Sequence, residues 1–173
     1  MAVDGTWIYT AGTNWSDTTR WLNGTLADGQ GATADFTAAT LTKASTITID
    51  TTPRTVGILN IGDAGGAFGY TIAASNGATL TFDNGSSHAQ INQVALSGGN
   101  TISAPVILNS DLDVTNLSGN TLTISGAVSG AHAITYSSAG TFALNGVVSG
   151  VTAITNSGGG ALTLGGANTG FSG

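Results

Sequence analysis

The strongest constraint in this sequence is a phrase that returns every twenty residues near the C-terminal end. Residues 121–130 read TLTISGAVSG, residues 141–150 read TFALNGVVSG and residues 161–170 read ALTLGGANTG. At this period the aligned positions are aliphatic: Ile124 with Leu144 and Leu164, Val128 with Val148, and Ile134 with Ile154. A short fixed period is typical of a solenoid, in which each coil stacks on the previous coil and repeated residues form a core ladder.

The local pattern predicts β-strands rather than helices. Apolar residues alternate with polar ones, as in Ile47/Ile49, Leu112/Val114 and Leu122/Ile124, which is typical of strands with one buried face. Clusters of Gly, Asn and Ser interrupt these runs at close intervals. We therefore predict an all-β chain folded as a parallel β-helix, a β-solenoid of about twenty residues per coil.

The repeat also sets an expected register. Residues 101, 121, 141 and 161 are aligned, and looser copies are read at 78–85 and 45–50. A β-sandwich or barrel has no reason to repeat one residue type at a fixed period. Residues 41–173 then allow roughly six or seven coils, a rod about 30 Å long.

Stacking of like on like explains the missing charge and the placement of glycine. Residues 114–173 contain no Asp, Glu, Lys or Arg. Equal charges stacked about 5 Å apart repel, whereas Thr, Ser and Asn can form hydrogen bonds along the stack. Two glycine sets are predicted at the corners, where tight turns need positive φ or close packing: 126, 146 and 166, and 130, 150 and 170.

The first forty residues differ from the rest. We interpret residues 1–40 as a Trp-rich N-terminal cap or docking segment, and residues 41–173 as the solenoid repeats. Trp7, Trp15 and Trp21 can cluster over the first coil and remove a large apolar area from water. Two alternatives are a contact with a partner and a platform on which a glycan stacks.

Charge and composition exclude several classes of partner. The formal net charge is −6 with only three Lys and Arg, so nucleic acid is not an expected partner. The chain has no cysteine for a disulfide framework or a thiolate metal site. No apolar stretch approaches the roughly 20 residues of a membrane-spanning helix, so membrane insertion is not expected either.

Candidates for chemistry are few. Asp111 and Asp113 fall on one strand face, and Asp63 and Asp83, one repeat length apart, could stack; such pairs could act as catalytic carboxylates or bind Ca²⁺. A lyase needs a basic residue near its carboxylates, yet no Lys or Arg follows Arg54. We therefore interpret the aspartates as solvated outward residues.

The two histidines do not change that conclusion. His88 and His132 are more than two repeat lengths apart, and neither has a Glu or Cys beside it. A zinc site is therefore not expected. We predict no enzymatic activity, no catalytic residue, no metal and no cofactor.

Three passages resemble a known family. The W…NWSD…W…G…ADF passage, the middle TVGILNIG…YTI and the closing GALTLGGANTGFSG are similar to the autotransporter-associated β-strand repeat family, whose repeat reads like GTLTLSGANTYSG. The resemblance implies a right-handed parallel β-helix displayed outside the cell as the passenger of a secreted autotransporter, serving as a stalk or adhesin. Similar repeats also occur in bacteriophage particles, as spikes, fibres or capsid decorations.

The resemblance leaves three functions open. The lack of a signal peptide, the lack of a translocating barrel and a start at Met1 favour a structural protein at a virion surface. The alternative is an autotransporter passenger or adhesin stalk, at the bacterial surface or secreted, and a third is a polysaccharide-binding or polysaccharide-degrading β-helix. Expected partners are other structural proteins of the same particle or surface, further copies of the chain in a homo-oligomer, and a cell-surface glycan.

Overall fold

The computed structural model describes residues 1–168 as a β-solenoid built from three parallel sheets. The described residues contain eighteen strands, here numbered in chain order. The strands β3 to β17 form five turns that each contribute one strand to each sheet in the same sequence, and β18 begins a sixth turn. This confirms the predicted all-β, parallel fold.

The strands divide among the sheets as follows. The seven-stranded sheet contains β1 (Gly5–Thr6), β2 (Thr33–Phe36), β5 (Ile58–Ile61), β8 (Ala89–Gln93), β11 (Leu112–Asn116), β14 (Ala133–Tyr136) and β17 (Ala153–Asn156). The six-stranded sheet contains β3 (Ser45–Ile49), β6 (Tyr70–Ala74), β9 (Asn100–Ile102), β12 (Leu122–Ile124), β15 (Phe142–Leu144) and β18 (Leu162–Leu164). The five-stranded sheet contains β4 (Arg54–Val56), β7 (Leu80–Phe82), β10 (Val106–Leu108), β13 (Val128–Ser129) and β16 (Val148–Ser149).

Coil length is not constant along the solenoid. The stacked core positions of the six-stranded sheet are Ile47, Ile72, Ile102, Ile124, Leu144 and Leu164. The step from Ile72 to Ile102 is the longest, and only the two steps from Ile124 through Leu144 to Leu164 are equal. The period of twenty is thus correct only for the last coils, because the corners of earlier coils carry additional loop residues.

The varying length changes two predicted alignments. Ile102 stacks on Ile124, so this coil is longer than the repeat of twenty residues. Residue 101 therefore does not stack on residue 121. The segment 78–85 contains β7, which belongs to the five-stranded sheet and not to the sheet of the 121–124 repeat. The segment 45–50 was aligned correctly, because β3 lies in that sheet.

The corner glycines are explained by two different physical causes. At Gly146 a Cβ would collide with the backbone carbonyl oxygen of Gly126 in the coil below. Gly130 and Gly150 instead have positive φ, +129° and +71°, a backbone conformation that residues with a Cβ rarely adopt. Position 170 lies outside the described residues.

The N-terminal segment is continuous with the solenoid. β2 pairs with β5 in parallel, so the seven-stranded sheet begins before residue 40, inside the segment interpreted as a separate cap. Helix in residues 1–168 is confined to two 3₁₀ turns, Thr18–Arg20 and Leu22–Gly24. No helix in that range has the length and apolar character required to cross a membrane.

Candidate functional site

The three tryptophans form one buried cluster over the first coil. Trp21 packs against Trp7 and Trp15 with ring centroids 5.3 Å apart in both pairs. Phe36, at the end of β2, contacts all three rings at centroid distances of 5.2 to 5.7 Å. The cluster therefore packs on β2, which pairs with β5 of the solenoid.

Each indole N–H of the cluster has an internal acceptor. Trp7 donates to the carbonyl of Tyr9 at 2.7 Å, Trp15 to that of Ala27 at 3.0 Å, and Trp21 to that of Trp15 at 2.8 Å. The three side chains are at most 1% exposed. This geometry fits the cap interpretation, and the rings offer no face on which a sugar could stack, so the glycan platform is wrong for these residues.

The predicted core ladder is buried along most of its length. Ile124, Leu144, Val128, Val148 and Ile134 are all in the core. The other two predicted members, Ile154 and Leu164, lie in the last coil and are less buried.

At the C-terminal end of the described solenoid, Ile154 is only half-buried, and Leu164 is 44% exposed. The reason is that, in residues 1–168, β16, β17 and β18 are the terminal strands of their sheets. Leu164 thus packs on Leu144 on one side only. The two ends of the described solenoid are therefore unlike: the first is covered by the Trp cluster and the second presents strand edges.

Asp63 is a buried structural carboxylate rather than a solvated one. It follows β5, whereas Asp83 follows β7 in a different sheet, so the predicted stacking of these two residues is wrong. Asp63 Oδ1 accepts from the backbone N–H of Leu41 (2.8 Å) and Gly65 (3.0 Å), and Oδ2 accepts from Ala67 (3.0 Å) and Phe68 (3.1 Å).

Burial alone would raise the pKa of Asp63, but these four backbone hydrogen bonds outweigh it and lower the pKa below its ordinary value. The carboxylate thereby fixes the loop between β5 and β6. Its chemistry is that of a stabilised anion rather than a proton donor.

Both histidines and both late aspartates meet in one surface cluster on the seven-stranded sheet. His88 Nδ1 lies 3.1 Å from both carboxylate oxygens of Asp113, and its Nε2 lies 3.9 Å from Asp111 Oδ2. His132 Nδ1 lies 3.2 Å from Asp111 Oδ1, which also accepts from the backbone N–H of Ala133 at 2.9 Å. We call these four side chains the His–Asp cluster.

The electrostatics of the cluster favour the charged forms of His88 and Asp111. The hydrogen bond that His88 donates to Asp113, with the negative charges of Asp113 and Asp111, raises the pKa of His88. The backbone N–H of Ala133 and the imidazole of His132 lower the pKa of Asp111, against an opposing effect of burial. His88 is 55% exposed, so solvent and salt weaken each of these interactions.

Sequence reasoning missed this cluster because its members lie in three successive coils. It did place Asp111 and Asp113 on one face, and their shared contact with His88 agrees with that. Knowledge of the coil length would have revealed the cluster, because the interval from His88 to Asp111 is close to one turn of the solenoid at this point. Within residues 1–168 no group of three or more His, Cys, Asp or Glu side chains has an arrangement suited to a metal ion.

A polar surface cavity of 330 Å³ lies beside the N-terminal strands. Asp4, Thr6, Asn23 and Asp35 are among the residues that line it. Both carboxylates of the lining have an internal partner: Asp4 accepts from the backbone N–H of Thr33, and Asp35 accepts from the hydroxyl of Thr37.

Comparison with known proteins gives no relative. No family model, no curated protein and no solved structure matches this chain.

Proposed function

We propose that this chain is a non-enzymatic structural protein of a surface assembly, and that the assembly is a bacteriophage particle in which it serves as a capsid decoration, a head fibre or part of a tail spike or fibre. The observation that carries the proposal is the stack of three parallel sheets around one continuous hydrophobic core. The Trp cluster covers one end, and strand edges with partly exposed Ile154, Leu162 and Leu164 form the other. In this proposal the rod attaches by one end and projects the remainder.

The sides of the rod support a role based on shape. Outward Thr and Asn side chains hydrogen-bond along the seven-stranded sheet: Thr115 donates to Asn92 at 2.8 Å, and Asn92 donates to Asn60 at 3.0 Å. Stacked hydrogen bonds of this type stiffen a sheet from outside. Together with the continuous internal core they support the proposed role of a rigid spacer.

The open end is the proposed docking face. An exposed strand edge is a template for pairing with another chain, and native edges are commonly protected by Lys, Pro or a bulge. The three edge strands, β16, β17 and β18, contain neither Lys nor Pro, and on β16 the N–H of Val148 donates to Asn168 Oδ1 at 3.0 Å. Structural proteins of the same particle, or a further copy of this chain, are the proposed occupants.

The alternative is a passenger or adhesin stalk of a bacterial autotransporter. The observation that favours it is the equal spacing from Ile124 to Leu144 and from Leu144 to Leu164, because a long stalk is built by repeating one coil. In that case the end described here is covered by the next coil of a longer polypeptide.

Native material distinguishes the two. Mass spectrometry and electron microscopy on particles isolated from the source should find the chain with capsid or tail proteins in a fixed ratio. Recovery with outer-membrane fragments, or within a much longer polypeptide, would overturn the virion proposal in favour of the passenger.

A charged variant tests the docking face itself. Leu164→Lys places a charge on the open end, where it stays solvated in the isolated chain but has to be desolvated in a docked one. We expect this variant to fold and to lose incorporation into the particle. Thr123→Lys, an outward position on β12 away from the end, is the matched control and should be incorporated. Equal incorporation of both variants would exclude the open end as the contact.

A further inference from the structure

The His–Asp cluster spans three successive coils. His88 precedes β8, Asp111 and Asp113 belong to the next coil at β11, and His132 precedes β14 in the coil after that. No Asp, Glu, Lys or Arg other than Asp111 and Asp113 follows Asp83 in the sequence. The electrostatic contacts of this part of the rod are thus concentrated at one point.

The geometry of His88 leaves one unfavourable contact when the ring is neutral. Nδ1 lies 3.1 Å from both oxygens of Asp113 and therefore carries the proton that is donated to them. In neutral imidazole the other nitrogen, Nε2, is then an acceptor, and it faces Asp111 Oδ2, a second acceptor, at 3.9 Å. A proton on Nε2 converts this contact between two acceptors into an ion pair.

We infer that protonated His88 is a pH-dependent clamp, which joins its own coil to Asp113 and Asp111 of the next coil and acts through Asp111 on His132 of the coil beyond. The titratable groups around it are those of the cluster itself, with Asp83 close enough to His132 for their charges to interact. Neutral partners on the same surface, such as Gln90 beside Asp113, do not titrate.

The direction of the pH dependence follows from the two shifted groups. The pKa of His88 is raised in the folded state, so its contribution to stability is present below the unfolded value and is lost as pH rises through the folded pKa. The pKa of Asp111 is lowered, so its contribution is present above its unfolded value and is lost as pH falls through the folded pKa. Both contributions are present between roughly pH 4 and pH 6.5, and the clamp is strongest in mildly acidic solution.

The test compares thermal unfolding of the wild type, His88→Gln and His132→Gln from pH 5 to pH 8.5 at low salt with a chelator present. Because the pairs are exposed, the wild-type midpoint should fall by about 2–4 °C more than that of His88→Gln between pH 5.5 and 8.5. His132→Gln should keep most of this difference, since His88 still contacts both carboxylates. High salt should reduce it.

Direct titration of the imidazoles by NMR provides a readout that a merely structural role would not change. The His88 ring should titrate above the ordinary histidine value of about 6.5, and Asp113→Asn should move its pKa down toward that value. A His88 pKa at or below the ordinary value, or a pH dependence of unfolding that persists in His88→Gln, would overturn the clamp.

Discussion

Truncation of two leucines that occupy the same ladder should give very different losses of stability. Leu144 on β15 is fully buried between Ile124 and Leu164, whereas Leu164 on β18 is 44% exposed and has a ladder neighbour on one side. Leu144→Ala removes buried methyl groups and leaves an enclosed cavity, for which the expected cost is about 3 kcal/mol. Leu164→Ala removes a half-buried side chain without enclosing a cavity, and about 1 kcal/mol is expected.

Urea unfolding of the wild type and both variants measures these losses. Far-UV circular dichroism reports on all coils, whereas fluorescence reports on the cap, since Trp7, Trp15 and Trp21 all lie there. Because coils interact mainly with their neighbours, Leu144→Ala should move the dichroism transition to lower urea than the fluorescence transition. Equal losses in the two variants, or a larger loss for Leu164→Ala, would refute the ladder and the open end together.

Two further predictions concern a corner glycine and a buried carboxylate. Gly146→Ala should lower the free energy of unfolding by about 1–3 kcal/mol because its Cβ meets the carbonyl oxygen of Gly126; Gly119→Ala, where a Cβ meets nothing within 4 Å, is the control and should change it by less than about 0.5 kcal/mol in the same urea assay. Asp63→Asn should cost about 2 kcal/mol at pH 7 through weakened backbone hydrogen bonds. Since the folded pKa of Asp63 is lowered, its contribution is present above the unfolded value of about 3.9 and is lost as pH falls, so the variant should lose less stability than the wild type between pH 5 and 3. Denaturation curves at several pH values check this, and a parallel loss in both proteins would contradict the role assigned to Asp63.

The fold class could be predicted from the sequence because equivalent positions of the repeat stack on one another in a solenoid. Ile124 and Leu144 share a position in the repeat and a place in the core, so period alone identified the ladder. The prediction failed where a coil is longer than the repeat. The step from Ile72 to Ile102 is such a coil, and nothing in the strand pattern shows how much of it lies in the corners.

The same limit explains what sequence missed at the candidate sites. Asp63 has an ordinary surface sequence, GDAGG, and its burial depends on backbone N–H groups such as that of Leu41, which lies in the preceding coil. The contact between His88 and Asp113 also joins two coils, and it follows only from the actual coil length. The Trp cluster was predictable because three tryptophans so close in sequence have few ways to leave water other than together.

The equal length of the last coils makes the rod divisible into units. Deleting residues 125–144 would join Ile124 to Asn145, which follows Leu144 as Ser125 follows Ile124, and each remaining strand would meet a neighbour of the same type. Such a deletion shortens the rod by about 4.8 Å, and a duplication lengthens it by the same step. The coils that contain Asp63 and His88 cannot be deleted or duplicated in this way, because their loops differ from those of the neighbouring coils. Mutations that delete or duplicate one of the final coils can therefore change the length of the rod in whole steps without altering the capped end.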